Sequence, residues 1–247
     1  GGAVLATTID KYCYITCRHR PPFHEHKYCI GYSKLENRHT IDDIEHAVVR
    51  EALRYLEITR GMEIHTDADM PARSGLGSSS AFTVGLLHGL TALQGRMRGK
   101  HELAMESIHL EQNILKETVG SQDQVLAAYG GFNHISFLPN GEIAVRPVTI
   151  SAGRQRELES HVMLFYTGIK RTASTVADTF VPGLDDKRRQ LRLLQGMVDE
   201  GLSILSGTQS LHTFGNLLHE AWQAKRSLSP AVSNSDVDAM YDAARSA

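Results

Sequence analysis

The feature that most constrains this chain is a glycine- and serine-rich loop that runs directly into a long apolar segment. The loop reads Pro71-Ala72-Arg73-Ser74-Gly75-Leu76-Gly77-Ser78-Ser79-Ser80, and the apolar segment continues through Leu93. Residues 62–68, which precede the loop, alternate apolar and polar side chains as a half-buried strand does. The sequence therefore predicts a strand, a tight loop and a helix, with the loop at the amino end of the helix.

The loop has the composition of an anion-binding site. Glycine lets a backbone turn tightly and approach a ligand closely. The first N–H groups of a helix have no partner within it and lie at the positive end of its dipole. Together with the serine hydroxyls they predict a cradle for a nucleotide phosphate, with hydroxyls that can reach an accompanying Mg2+. The alternative is that the serines are ordinary N-caps and the glycines ordinary turn residues.

Two common phosphate-binding motifs are excluded by the spacing. No Gly-Lys-Ser or Gly-Lys-Thr follows, so the loop is not a Walker A loop, and the third glycine of the Rossmann pattern is absent.

Composition narrows the function classes. With 41% hydrophobic and 22% charged residues, the 247-residue chain has the make-up of an ordinary globular protein with a sizeable core. A net charge of −2 gives no reason to expect a nucleic-acid partner, and no apolar run is long enough to predict a membrane span. Three cysteines, an odd number, argue against a disulfide framework and predict a cytoplasmic protein.

A cluster of histidines and cysteines lies between residues 17 and 29. Zinc is one interpretation, but the spacing matches no closed ligand pattern and Pro21-Pro22 divides the cluster. We expect a polar loop between strands instead.

Periodicity predicts an α+β fold, with a helical lobe packed on an α+β lobe. The predicted β structure comprises residues 3–18 with a bend at Asp10-Lys11, 28–33, 62–68, a hairpin over 131–150, and a buried strand at Val162–Tyr166. The predicted helices cover residues 42–56, the apolar run to Leu93, 100–118, 184–205, 211–228 and 233–247.

Three later features carry polar groups of interest. Glu111 rides on the helix predicted at 100–118, and Asp123 lies just past it; alone, these residue types are more often a solvated helix face and an N-cap. The loop Thr167-Gly168-Ile169-Lys170-Arg171 suits a phosphate on a second substrate, although two solvated cations are the simpler interpretation.

The string PxxxGLGSSS resembles the central signature of the GHMP small-molecule kinases, and the resemblance extends over most of the chain, through Glu111 and the segment Val119-Gly120-Ser121-Gln122-Asp123-Gln124. It implies a two-lobed GHMP-kinase-like fold whose N-terminal lobe, residues 1–150, is of the ribosomal-S5-domain-2-like type and binds ATP. Residues 151–247 would form a C-terminal α+β lobe rich in helices.

The resemblance also implies roles for individual residues. Ser79 and Glu111 would hold Mg2+, and Asp123 would be the catalytic base that faces the substrate hydroxyl. The nucleotide phosphates would lie against the loop, made of Pro71, Arg73, Ser74, Gly75, Leu76, Gly77, Ser78, Ser79 and Ser80. Gly168, Lys170 and Arg171 are candidates for the sugar side.

Within the family, three segments are similar to the bacterial D-glycero-D-manno-heptose 7-phosphate kinases: ATTIDKY near the start, QDQ followed by AAYGGFN, and YTGIKRTAS. This implies phosphorylation of the anomeric hydroxyl of a heptose phosphate, for GDP-heptose and surface polysaccharide. Three alternatives stay open: another sugar kinase of the family (galactokinase, fucokinase or octose phosphate kinase), a non-catalytic ATP and sugar sensor, and a structural module.

The family's glycine-rich stretches at either end, of GGGTD and GAGGGGF type, are absent, because the chain begins at Gly1-Gly2 and stops at Ala247. We therefore expect residues to be missing at both ends.

Overall fold

The computed structural model describes residues 2–72, 74–169 and 187–246. These residues form two compact units, which are described separately. The continuous unit is Thr8–Gly130, and the composite unit combines residues 2–7, Gly131–Ile169 and 187–246. Compact packing thus groups the residues differently from the predicted lobes 1–150 and 151–247, whose boundary stays a prediction.

The continuous unit is built on a mixed four-stranded sheet. Strand β1 (Gly2–Thr7) belongs to the composite unit. The strands of this sheet are β2 (Cys13–His19), β3 (Tyr28–Gly31), β4 (Leu35–Arg38) and β5 (Met62–Ala68), in the order β2-β5-β3-β4. Strand β5 runs antiparallel to β2 and parallel to β3. Its helices are α1 (Ala47–Tyr55), α2 (Ser78–Leu93), α3 (Lys100–Ile108), a π-helix (His109–Ile114) and α4 (Gln122–Tyr129).

Helix α2 lies against β2 and is fixed there by close contacts. A β-carbon placed on Gly85 would lie 3.0 Å from Cγ1 of Ile15, so a larger residue would push the helix off the sheet. Leu86, Leu87 and Leu90 on the same helix are fully buried. They join a core that also contains Ile30, Ile44, Val49, Leu53, Met62, Ile64, Leu103 and Leu110. This packing sets where the amino end of α2 lies.

The composite unit contains the second sheet, of order β1-β6-β7, with all neighbours antiparallel. Its strands are β1 (Gly2–Thr7), β6 (Phe132–Phe137) and β7 (Ile143–Pro147), and the last two form the hairpin predicted around Asn140-Gly141. Its helices are α5 (Ala152–Ser160), α6 (Arg188–Ser206), α7 (Leu211–Arg226), a 3-10 turn (Pro230–Val232) and α8 (Ser235–Ser246).

The α+β fold class is confirmed, and most predicted elements are present. The bend at Asp10-Lys11 separates β1 from β2, and β5, the loop and α2 follow one another as predicted. Strand β4 and helices α4 and α5 were not predicted, and α1 begins at Ala47, five residues later than expected.

The buried strand predicted at Val162–Tyr166 is wrong. This segment forms neither helix nor strand, and all five side chains are at least half exposed. A short apolar run becomes a strand only where another strand can pair with it, and within the described residues none does so.

The structure also bears on the predictions made from the cysteine count and from the lack of a long apolar run. All three cysteines are free thiols, and burial raises the pKa of Cys17 to about 11. Among the described residues, no helix combines the length and apolarity needed to cross a bilayer.

Candidate active site

The amino end of α2 is held open by glycine. Gly77 is the N-cap residue and has φ 72°, and Gly75 two positions earlier has φ 80°. No side chain caps the helix. The N–H of Ala81 bonds the carbonyl of Gly77, so the amides of Ser78–Ser80 precede the first intrahelical donor. Within the part of the chain that the structure describes, three backbone donors at the positive end of the helix are thereby available for an anion.

The other end of the loop is tied to the sheet. Asp69 follows β5, and its N–H donates to the carbonyl of Tyr12, 3.0 Å away. Its carboxylate Oδ2 accepts the N–H of Tyr12 at 2.8 Å. The loop is therefore fixed at its first residues by the chain that enters β2, and at its last residues by α2.

Glu111 is a buried carboxylate at this helix end. It is 2% exposed, and its Oε2 accepts hydrogen bonds from the Ser80 hydroxyl, at 3.1 Å, and from the side-chain amide of Gln124. Its Oε1 is buried and has no hydrogen-bond partner among the described residues. In the described part of the chain, no lysine, arginine or histidine forms an ion pair with it, so the carboxylate lacks a compensating charge.

Glu111 lies on a π-helix, which corrects the uninterrupted helix predicted over residues 100–118. The N–H of Leu115 bonds the carbonyl of Leu110, five residues back instead of four. Such turns add a residue to a helix and shift the side chains that follow, and they are frequent at functional sites. Partial burial and the nearby charge of Glu111 both raise the pKa of the Glu117 carboxyl just beyond this turn.

The π-helix also positions the segment that carries Asp123. Gln112, next to Glu111, donates through its side-chain amide to the carbonyl of Val119 at 2.9 Å and to the hydroxyl of Ser121 at 3.2 Å. Ser121 is the N-cap residue of α4. Asp123 therefore lies past the preceding helix, as predicted, but in the first turn of a further helix, α4, that was not predicted.

Asp123 packs against the N-cap of α2. A β-carbon placed on Gly77 would lie 3.2 Å from Cγ of Asp123 and 3.3 Å from its Oδ2. The carboxylate is thus in contact with the backbone that begins α2. The amino ends of α2 and α4 meet here. Helix α2 contributes backbone amides and α4 contributes the Asp123 carboxylate.

The structure brings together most of the predicted site residues of the continuous unit, namely Gly77, Ser78, Ser79, Ser80, Glu111 and Asp123. It is Ser80 that bonds Glu111, whereas Ser79 is exposed, and its carbonyl accepts the Thr83 hydroxyl. The Ser74 hydroxyl is buried without a partner, and Pro71, Gly75 and Leu76 are exposed.

The structure does not test whether the predicted sugar-side residues lie together. Gly168 belongs to the composite unit and has φ 73°, with the N–H of Ile169 donating to the Thr167 hydroxyl. Arg73, Lys170 and Arg171 lie outside the described residues.

Sequence reasoning gave no role to Gln112 and Gln124, although both contact the predicted site. Gln124 stands in the quoted QDQ segment, but its type and spacing carry no signal of a bond to Glu111. Glu111 lies on the π-helix, which a periodicity of 3.6 does not reveal.

The residues present fit a divalent cation held together with a phosphate. Oε1 of Glu111 is an oxygen donor with no other partner, and oxygen is the ligand that Mg2+ prefers. In residues 2–72, 74–169 and 187–246, no three His, Cys, Asp or Glu side chains form a metal-holding group. A single carboxylate with a hydroxyl suits an ion whose remaining ligands are substrate phosphates and water.

Residues 44–131 match the family of GHMP kinases N terminal domains, and this span contains the loop, Glu111 and Asp123. Residues 44–131 therefore form a GHMP kinase N-terminal domain. The D-glycero-alpha-D-manno-heptose 7-phosphate kinase of Campylobacter jejuni is 27% identical over 97% of this chain and 74% of its own length. A galactokinase of Chloroflexus aurantiacus is 28% identical over 64% of this chain and 39% of its own length.

The fold of this chain agrees with a solved structure. The D-glycero-D-manno-heptose 1-phosphate kinase from Bacteroides thetaiotaomicron superposes with a TM-score of 0.71 at 24% identity, over 92% of this chain and 71% of that one. All three similar proteins are named as sugar or sugar-phosphate kinases, in agreement with the prediction of an ATP-dependent enzyme.

Proposed function

We propose that this protein is a GHMP kinase that transfers the γ-phosphoryl group of ATP to a hydroxyl of a sugar phosphate. The observation that carries the proposal is the buried carboxylate of Glu111 beside the start of α2, with no compensating charge among the residues that the structure describes. A buried carboxylate costs free energy unless it is paired or binds a metal. A phosphate–metal pair would supply a cation for Glu111 and an anion for the helix end, neither of which the described residues provide.

The amides of Ser78–Ser80 and the serine hydroxyls would hold the β- and γ-phosphates of ATP. Phosphoryl transfer depends on positioning and on neutralising charge more than on covalent chemistry by the protein. Backbone donors fixed by the packing of α2 need no reorganisation when charge develops on the phosphoryl oxygens.

Glu111, through Oε1, and Ser79, exposed on the first turn of α2, would hold Mg2+. Bound there, Mg2+ neutralises negative charge on the phosphoryl oxygens. The bond from Ser80 to Oε2 leaves the Ser79 hydroxyl available for this ligand role.

Asp123 would act on the acceptor hydroxyl. As the hydroxyl oxygen bonds to the γ-phosphorus, the bond from that phosphorus to the β–γ bridging oxygen breaks, and ADP leaves with this oxygen. The hydroxyl proton passes to the Asp123 carboxylate, a general base of the kind that positions such nucleophiles. Its contact with Gly77 supports this role, since the carboxylate lies at the same helix end as the phosphate donors.

The proposed acceptor is the anomeric hydroxyl of D-glycero-D-manno-heptose 7-phosphate, giving the 1,7-bisphosphate for GDP-heptose and surface polysaccharide. The heptose kinase relative, similar over 97% of this chain, supports this choice. Gly168, Lys170 and Arg171 would bind the sugar side. The three free thiols support a cytoplasmic location.

A second candidate is a galactokinase-type reaction, which the 28% identical galactokinase favours. The test is ADP release from MgATP with a panel of heptose 7-phosphate, galactose and fucose, each with wild type and Asp123→Asn. We expect the highest kcat/KM with the heptose phosphate. ADP release only with galactose would support the second candidate. If the chain binds nucleotide but releases no ADP with any of the sugars, it would be a sensor.

A further inference from the structure

We infer that Gln124 is a positioning residue that orients the Glu111 carboxylate so that Oε1 alone is kept for the metal. The inference rests on the proposed function, and it assigns a task to a residue that carries no role in the reaction so far. It depends on the bonds at the two carboxylate oxygens, on burial and on the place of Gln124 in α4.

The two oxygens of Glu111 are in different surroundings. The amide of Gln124 and the hydroxyl of Ser80 both donate to Oε2, whereas no donor in residues 2–72, 74–169 and 187–246 bonds Oε1. A carboxylate held by two donors on one oxygen cannot rotate without losing both bonds. The free oxygen therefore keeps one direction, which is the condition for a metal ligand.

The orientation of the Gln124 amide follows from the same contact. Its NH2 group faces Oε2, because the opposite orientation would bring two oxygens together without a proton between them. Gln124 is 1% exposed, so water cannot substitute for this donor. The amide is therefore a fixed part of the site and not a solvated side chain.

Gln124 also links the two carboxylates of the site. It follows Asp123 directly in the first turn of α4, so one helical turn places Asp123 against Gly77 and Gln124 against Glu111. Residues that hold metal ligands by hydrogen bonds are worth about 10- to 100-fold in metal affinity. We expect an effect of this size on the metal, with little effect on the nucleotide alone.

The test is calorimetric titration of ADP into the full chain, once with EDTA and once with Mg2+. The ratio of the two affinities measures the metal's contribution without catalysis. In Gln124→Met we expect ADP affinity in EDTA to stay within twofold of wild type and the Mg2+ ratio to fall about tenfold or more.

The matched control is Gln94→Met. Like Gln124, Gln94 donates a hydrogen bond from its side-chain amide, which is part-buried and bonds the carbonyl of Leu56 at 2.8 Å. The side-chain Oε1 of Gln94 has no partner among the described residues. Gln94 caps the other end of α2, about 24 Å along the helix axis from Ser78. Loss of stability alone would affect both variants, whereas loss of the Mg2+ ratio is expected only in Gln124→Met.

The outcomes separate this inference from the proposed function. If wild type shows a Mg2+ ratio that Glu111→Gln abolishes while Gln124→Met keeps it, the positioning role is wrong and the proposed function stands. If wild type shows no Mg2+ ratio, both fall. Should Gln124→Met not fold, Ser80→Ala removes the other donor to Oε2. In Ser80→Ala we expect the Mg2+ ratio to fall about fivefold. An unchanged Mg2+ ratio in this variant would contradict the inference.

Discussion

The hydrogen of Gly77 faces the carboxylate of Asp123, at a distance where a β-carbon would lie 3.2 Å from Cγ. Any other residue at position 77 would have to push that carboxylate away or move the start of α2. Gly77 also has φ 72°, which only glycine adopts without strain. The backbone conformation and the contact with Asp123 therefore both require glycine.

Gly77→Ala is expected to lower kcat at least about tenfold and to destabilise the chain by about 1–2 kcal/mol, because it adds strain and displaces Asp123. Gly75→Ala is the matched control: it has φ 80°, but a β-carbon there would meet nothing within 4 Å. Both variants should lose similar stability in urea denaturation, and only Gly77→Ala should lose the larger part of its turnover. Equal turnover in the two would contradict a catalytic role for the contact.

Asp123→Asn keeps the size of the side chain and removes the base. We expect turnover to fall at least about a hundredfold. ADP affinity should be unchanged, since the phosphate donors belong to α2. Steady-state kinetics and calorimetry on the same preparation check the two halves of this expectation, and full turnover would exclude the base role.

Glu111→Gln tests whether the buried carboxylate is there for the metal. The change removes a charge that has no compensating partner among the described residues, so without Mg2+ the variant should be more stable than wild type by about 1 kcal/mol or more. MgADP should raise the Tm of wild type above the value with ADP and EDTA, and the variant should lose this difference. A variant that is less stable and keeps the difference would show that Glu111 is structural.

The loop and its helix could be predicted because their signals are local. Gly75, Gly77 and the three serines fix a turn and an open helix start by their own chemistry, and Asn140-Gly141 fixes the hairpin in the same way. The α+β class followed from the periodicity of long segments.

The contacts around Glu111 could not be predicted, because they depend on neighbours distant in the chain. Periodicity predicted an ordinary helix there, whereas the structure has a π-helix whose Glu111 bonds Ser80 on α2 and Gln124 on α4. The exposure of Val162–Tyr166 has the same origin: burial is decided by what pairs with a segment, which its own residues do not record.

Strand β4 was missed because its sequence, Leu-Glu-Asn-Arg, is polar. Glu36 on this strand is 1% exposed. It accepts hydrogen bonds from the Tyr32 hydroxyl at 2.6 Å and from the backbone N–H groups of Glu45 and His46 at 2.8 and 3.2 Å. These groups lead into α1, so one buried carboxylate joins the strand to the start of the helix.

The same bonds predict a dependence of stability on pH. Burial by itself raises the pKa of Glu36, but the hydrogen bonds from Tyr32 and the two backbone N–H groups, with the charge of Arg38, outweigh it and leave the pKa below its ordinary value. A lowered pKa in the folded state means that the contribution is complete above the ordinary glutamate pKa of about 4.3 and is lost as the pH falls through the lower, folded value.

Glu36→Gln should therefore lower the free energy of unfolding by about 1–3 kcal/mol at pH 7, because the amide cannot accept all of these bonds with both of its ends. The difference from wild type should shrink as the pH is lowered below 4, where wild type loses the same contribution. Urea denaturation at pH 7, 5, 4 and 3 measures this difference in the free energy of unfolding. The control is Glu25→Gln: the Glu25 side chain is 83% exposed, so we expect the free energy of unfolding to change little at any pH. A difference that stays constant from pH 7 to 3 would mean that the hydrogen bonds of Glu36 do not favour its charged form.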